Sequence, residues 1–115
     1  MKNFAVGFVV FFALLGGGCT TVSEAGYYWG KYSYTYLETI REPSMESNEK
    51  HIESLREILA KSDERSLKPP PGVSAELGFW LLKMDPTNRE ASSLFEREIA
   101  AYPEAEVFIK RLLQL

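Results

Sequence analysis

One cysteine and one histidine in 115 residues leave this chain little reactive chemistry. Zinc sites draw most of their ligands from Cys and His clusters, and no cluster exists here. The single thiol, Cys19, excludes an internal disulfide, so the folded part must be held by packing alone. The only histidine, His51, falls at the polar start of a predicted helix, where a solvated side chain is expected rather than a general base. Positive charge is also scarce. Thirteen Lys and Arg face sixteen Asp and Glu, for a net charge of −3, which argues against a nucleic acid or an anionic lipid surface as partner. The glycine run Gly16-Gly17-Gly18 follows an apolar stretch rather than a strand, and is no phosphate cradle. Asp63, Glu64, Glu96, Glu98, Glu104 and Glu106 stand among Arg65, Arg97 and Lys110, the pattern of a solvated helix face rather than of paired catalytic carboxylates or a calcium loop. These absences predict no enzyme, no cofactor, no metal and no small-molecule substrate.

What is present begins at the N-terminus. Lys2 precedes an apolar run from Phe4 to Leu15, then Gly16-Gly17-Gly18-Cys19. The run has the length of a signal core and is short for a membrane span. The segment resembles a bacterial lipoprotein signal, in which small residues precede a cysteine that is acylated and becomes the new N-terminus. It departs from that pattern at Gly16, where Leu is usual. An uncleaved anchor, or cleavage elsewhere that leaves a free thiol, is the other reading. By the resemblance, residues 1–18 are a signal peptide and Cys19 is the lipidation site. Thr20 in place of Asp implies sorting to the outer membrane, on its periplasmic face. Three acyl chains anchor stably where one would not. Processing would remove Lys2 and take the formal charge from −3 to −4. Residues 19–26 then form a tether.

Residues 27–115 read as one helical domain. A first helix over 27–41 carries Trp29, Tyr32, Tyr36, Leu37 and Ile40 at helical spacing, although the alternation Tyr32, Tyr34, Tyr36 also fits a strand. On the helical reading, Trp29, Tyr32 and Tyr36 face the core. A second helix from Ser47 to Lys61 has the stripe Ile52, Leu55, Ile58, Leu59. Pro69-Pro70-Pro71-Gly72 is a stiff connector whose last proline suits the first turn of a third helix, Val73 to Met84. Thr87 and Glu90 have capping-box spacing before a fourth helix reaching Ala101. A fifth runs from Pro103 to Leu115 with Val107, Phe108, Leu112 and Leu115 inward.

Leu77-Gly78, Leu81, Ala91, Phe95 and Pro103 resemble the marks of a tetratricopeptide repeat, with small residues where two helices cross. The likeness fails at Glu98, where a small residue is usual. Trp29, Tyr32, Ser33 and Tyr36 precede Ser74, Leu77, Gly78 and Leu81 by a constant 45 residues, a fainter second copy. The expected fold is therefore all-α: two divergent tetratricopeptide-like hairpins and a C-terminal capping helix. Over nearly all of its length from residue 26, the chain also resembles the DUF4810 family of small proteobacterial lipoproteins. The carrying segments are Tyr27-Tyr28-Trp29-Gly30-Lys31-Tyr32-Ser33, Pro70-Pro71-Gly72-Val73-Ser74-Ala75-Glu76-Leu77-Gly78-Phe79 and Phe95-Glu96-Arg97-Glu98 with Tyr102-Pro103-Glu104. The resemblance implies a neighbour similar to the curli-secretion pore lipoprotein, and hence an envelope complex.

Tyr27, Tyr28 and Tyr34 are the aromatic residues left over from the first helix's apolar face. Rings at this density suit a protein interface; core packing of all of them, or contact with the membrane surface or a glycan, are the alternatives. The expected role is a non-catalytic interaction or assembly subunit, with an envelope lipoprotein as its partner. A pilot for a secretion pore and a regulator of a cell-wall synthase are the alternatives, the latter disfavoured by the short tether.

Overall fold

The computed structural model describes residues 26–114, and residues 1–18, Cys19 and the tether up to residue 25 lie outside them, as does Leu115. Among the described residues there are five helices and no strand: α1 Tyr32–Arg41, α2 Met45–Glu64, α3 Val73–Met84, α4 Glu90–Ala101 and α5 Ala105–Leu113. The all-α expectation holds, and the strand reading of Tyr32 to Tyr36 does not. Each helix packs on the next in sequence, most extensively α3 on α4. None of the described helices is long and apolar enough to cross a membrane.

The helix boundaries have local causes. Gly30, at φ +50°, turns the chain so that the Tyr32 amide donates to the Trp29 carbonyl, and α1 begins later than its apolar pattern. Pro43 keeps α1 from running on. α2 starts at a reciprocal cap: the Ser47 amide donates to Ser44 Oγ (3.0 Å) and the Ser44 amide to Ser47 Oγ (3.1 Å). It ends in a Schellman closure. The Ser66 amide reaches the Asp63 carbonyl and the Leu67 amide reaches Ser62, with Ser66 forced to φ +54°. Pro71 lies outside α3 rather than in its first turn, because Gly72 is the cap residue, at φ +92°. The expected Thr87–Glu90 box does not form. Asp85 Oδ1 accepts from the Thr87 amide and hydroxyl, and Asn88 Oδ1 accepts from the Glu90 amide.

The core sits on α3. On one side Leu55, Ile58 and Leu59 of α2 meet Val73, Leu77 and Leu81 of α3 and Leu94 of α4. On the other, Ala75 meets Ala91, Phe95 and Ile109. The α2 stripe is buried as its spacing predicts, with Ile52 partly so. Leu77, Gly78, Leu81, Ala91 and Phe95 are buried too, whereas Pro103 is exposed at the start of α5. Gly78 lets α3 and α4 close up: a Cβ there would stand 2.7 Å from Phe95 Cε1. α5 turns a different face inward than predicted. Ile109 is its buried residue, while Val107 and Phe108 point outward and Leu112 is half-buried. Pro103 and the turn at Tyr102 set the rotation of this helix, and Ala105 and Ile109, four apart, pack against α3 and α4.

Two surface ion pairs join α2 to α4: Arg56 grips Glu90 through both guanidinium nitrogens (2.7 and 2.9 Å), and Arg97 meets Asp63 at 2.7 Å. Such exposed pairs contribute about 0–1 kcal/mol each and register the helices more than they stabilise them.

Two substitutions test this packing by urea denaturation. Ser66→Gly removes the left-handed penalty of a side chain and should stabilise by about 1 kcal/mol. Gly78→Ala should destabilise by about 1–3 kcal/mol despite its better helix propensity, because the buried Phe95 ring must move. Phe95→Leu in the same chain should recover part of the loss.

Candidate functional site

A knot of polar side chains joins α1, α2 and α3. Glu76 stands on α3 and is half-buried. Its Oε1 accepts from the Tyr32 hydroxyl at 2.5 Å; its Oε2 lies 2.5 Å from His51 Nε2 and 3.3 Å from Trp80 Nε1. On the far side of the ring, His51 Nδ1 pairs with the Thr35 hydroxyl at 2.8 Å. His51 is fully buried, not solvated as the polar start of its helix predicts. The reason is register. His51 lies four residues before Leu55 and four after Ser47, on the face of α2 that meets α1 and α3.

Burial alone would raise the Glu76 pKa, but hydrogen bonds from His51, Tyr32 and Trp80 outweigh it, and the carboxyl is held below its ordinary range. Glu76 therefore accepts from the Tyr32 hydroxyl and the Trp80 indole and pairs with His51 Nε2. Burial, and then the bond to Glu76, pushes the Tyr32 hydroxyl above its ordinary pKa. Both ring nitrogens of His51 are occupied and the ring has no access to solvent, so the arrangement joins helices and offers no free base to a substrate. Among the described residues, no group of three His, Cys, Asp or Glu side chains could hold a metal ion.

The aromatic stripe of α1 is a roof over this knot. Trp29 meets Tyr32 edge-on at 5.3 Å, and Tyr32 stacks on Tyr36 at 5.9 Å. The Tyr32 and Tyr36 rings lie against His51, which in turn meets Trp80. The expected core face of α1 is thus largely outside. Thr35 is its buried residue, Trp29 stays 44% exposed, Tyr36 43% and Ile40 58%, and Tyr32 alone of the three aromatics is half-buried. α1 docks on α2 through small polar groups, which leaves its large side chains at the rim. The 45-residue correspondence with α3 fails in burial for the same reason, since Leu77, Gly78 and Leu81 are interior while Trp29, Ser33 and Tyr36 are not.

Of the three remaining tyrosines, Tyr34 projects outward at 66% exposure. Tyr28 packs on the α2–α3 core beneath the Arg65 guanidinium, 4.7 Å from its ring centre. Tyr27 lies beside Tyr102, whose pKa is pushed up first by burial and then by hydrogen bonding with the Tyr27 hydroxyl. The structure therefore separates them. Tyr34 is exposed on α1 to the side of Tyr36 rather than in line with it, Tyr28 ties the incoming chain to the domain, and Tyr27, beside Tyr102, is itself exposed.

A second feature was not legible in the spacing. Between α3 and α5 runs an apolar groove of about 460 Å³, floored by Ala75, Phe79 and Ile109 and bordered by Trp80, Phe108 and Leu112. Glu98 also lines it, buried where the repeat pattern calls for a small residue. Its carboxylate accepts from the Gly72 and Ala75 amides at 3.0 and 3.1 Å. Gly72 has no side chain to cap α3, and Glu98 supplies the cap from α4.

The DUF4810 family, described only as a domain of unknown function, matches residues 27–112. The chain belongs to that family. The match begins at Tyr27 and takes in α1 to α4 and most of α5, so this DUF4810 domain includes the polar knot, the α1 face and the groove, and excludes Cys19. No curated protein and no solved structure matches the chain.

Because the Glu76 pKa is lowered on folding, its stabilisation is present above the ordinary carboxyl value near 4.5 and lost as pH falls through the folded value. Thermal melts of this DUF4810 domain should show Tm falling between about pH 5 and pH 3, and Glu76→Gln should flatten that slope while costing about 1–3 kcal/mol at neutral pH. An unchanged slope in the variant would assign the acid sensitivity to other carboxylates.

Proposed function

We propose that this chain is an outer-membrane lipoprotein, anchored through Cys19 on the periplasmic face, that acts as a non-catalytic interaction or assembly subunit of an envelope complex. The observation carrying this reading is the outer face of α1. Trp29, Tyr34, Tyr36, Leu37 and Ile40 are all substantially exposed on one short helix and its leading turn, and aromatic residues gathered at a surface supply rigid contact area at low entropy cost. The face is preorganised, because Tyr32 and Thr35 are hydrogen-bonded into the knot beneath it. The hairpins α1–α2 and α3–α4 make a tetratricopeptide-like scaffold for such a role, and the close approach of Gly78 to Phe95 supports that likeness.

The partner is a protein in the same leaflet, in keeping with another lipoprotein similar to the curli-secretion pore subunit. Seven residues separate Cys19 from Tyr27, which at ~3.3–3.6 Å per residue keeps the domain close to its membrane. Confinement to that surface raises the effective concentration of any partner anchored there.

Crosslinking in intact envelopes, followed by affinity purification and mass spectrometry, tests this. Wild type should recover one outer-membrane lipoprotein. Tyr34→Ala and Ile40→Glu should lose it while melting as wild type does. Recovery of the chain alone, or of an inner-membrane enzyme, would overturn the reading.

A further inference from the structure

The groove between α3 and α5 asks for an apolar guest. Of its polar neighbours, Glu104 is exposed to water and the others are engaged. Both Glu98 oxygens cap α3, the Tyr102 hydroxyl donates to the Pro69 carbonyl at 2.6 Å, and Glu76 is held in the knot. Lys83 lies over the Trp80 ring, 5.0 Å from its centre. What remains is hydrocarbon: Ala75, Phe79, Phe108, Ile109 and Leu112, around a volume of about 460 Å³. That volume falls in the range that accepts one small apolar ligand. Phe108 is left 63% exposed at its edge.

The position of Tyr27 beside the groove points to the guest. Tyr27 lies against Tyr102, which itself lines the groove. Cys19 is eight residues upstream of Tyr27, so it can lie up to about 28 Å from Tyr27.

We infer that the groove between α3 and α5 receives one acyl chain of this molecule's own Cys19. This rests on the acylation of Cys19 proposed above. Of the three chains that such a cysteine carries, two stay in the bilayer, which suffices for stable anchoring. The third, seated between Phe79 and Phe108, turns the α3–α5 face of the domain toward the leaflet and covers apolar surface that would otherwise meet water.

The test uses the full chain in cells fed a fatty acid bearing a terminal photoreactive diazirine. After irradiation of intact envelopes, mass spectrometry reads both the acylation of Cys19 and the residues joined to the labelled chains. Cross-links from Cys19 to Phe79, Phe108, Ile109 or Leu112 are expected. Shifting the cells from light to heavy medium, so that light and heavy copies share one envelope, should yield no mixed light–heavy cross-links and so show that the links form within one molecule. Leu112→Trp, at the groove border, should reduce them several-fold with acylation and circular dichroism unchanged. An acylated Cys19 whose cross-links fall only on membrane lipid or other proteins overturns the inference and leaves the anchor intact. An unmodified Cys19 overturns both. Groove labelling that persists in Cys19→Ser identifies a diffusible membrane lipid as occupant and also overturns it.

Discussion

The rest of the molecule depends on the burial of α3. This helix, twelve residues from Val73 to Met84, carries one carboxylate and one lysine among largely apolar neighbours, and it contributes to both halves of the core. A helix apolar on most of its circumference must be covered on most of its circumference. α2 covers one side and α4 another, and the price of such close cover falls on particular residues. Gly78 has to be glycine so that Phe95 can lie against the backbone. The N-terminus of α3, pressed against α4, cannot take water, so its orphan amides need a carboxylate brought by that neighbour, which is Glu98. Glu98 breaks the repeat pattern because it answers a backbone requirement that the pattern does not encode.

The one carboxylate on α3 has the opposite problem. Glu76 sits where α1 and α2 converge, and a half-buried carboxylate without donors would be costly. Three donors from three helices meet it, which makes Glu76 the point where α1 is fastened. A polar fastening demands direction and geometry, where an apolar one would tolerate sliding. α1 is thereby held by Tyr32 and Thr35 with its larger side chains left at the rim.

This explains which parts of the fold were legible in the sequence. The stripe Ile52, Leu55, Ile58, Leu59 was legible because periodicity reports burial when the partner is apolar. The boundaries of α3 were legible because Gly72 and Asp85-Pro86 are strong local breaks. Trp29 and Tyr36 were misread because periodicity shows that a face is apolar and says nothing of what covers it. His51 was misread because it was judged by its polar sequence neighbours, although its spacing from Ser47 and Leu55 placed it inward. Phe108 was assigned inward and Ile109 overlooked, since in a nine-residue helix this apolar the direction of the core depends on the preceding turn at Tyr102. The groove had no sequence signal. It is a gap between non-adjacent helices, and only the tertiary arrangement makes it.

The two surfaces left over are chemically different, and the difference bears on how the domain sits. The α1 face mixes rings and hydroxyls above a rigid hydrogen-bonded base, the composition of a protein contact. The groove offers mostly hydrocarbon, with Glu98, Tyr102 and Glu76 held in hydrogen bonds and Glu104 exposed beside it, a composition suited to an apolar ligand. Tyr27 and Tyr28 stand between them: Tyr28 is pinned beneath Arg65, and Tyr27 lies against Tyr102. The segment that enters the domain is therefore tied to it beside the groove and hands on directly to α1. A membrane attachment through Cys19, as proposed, would there fix the orientation of α1 as well as its distance from the bilayer. On the proposed anchoring through Cys19, Tyr27 and Tyr28 would do what a long flexible linker cannot, which is to present one face of a small domain to neighbours in the same leaflet.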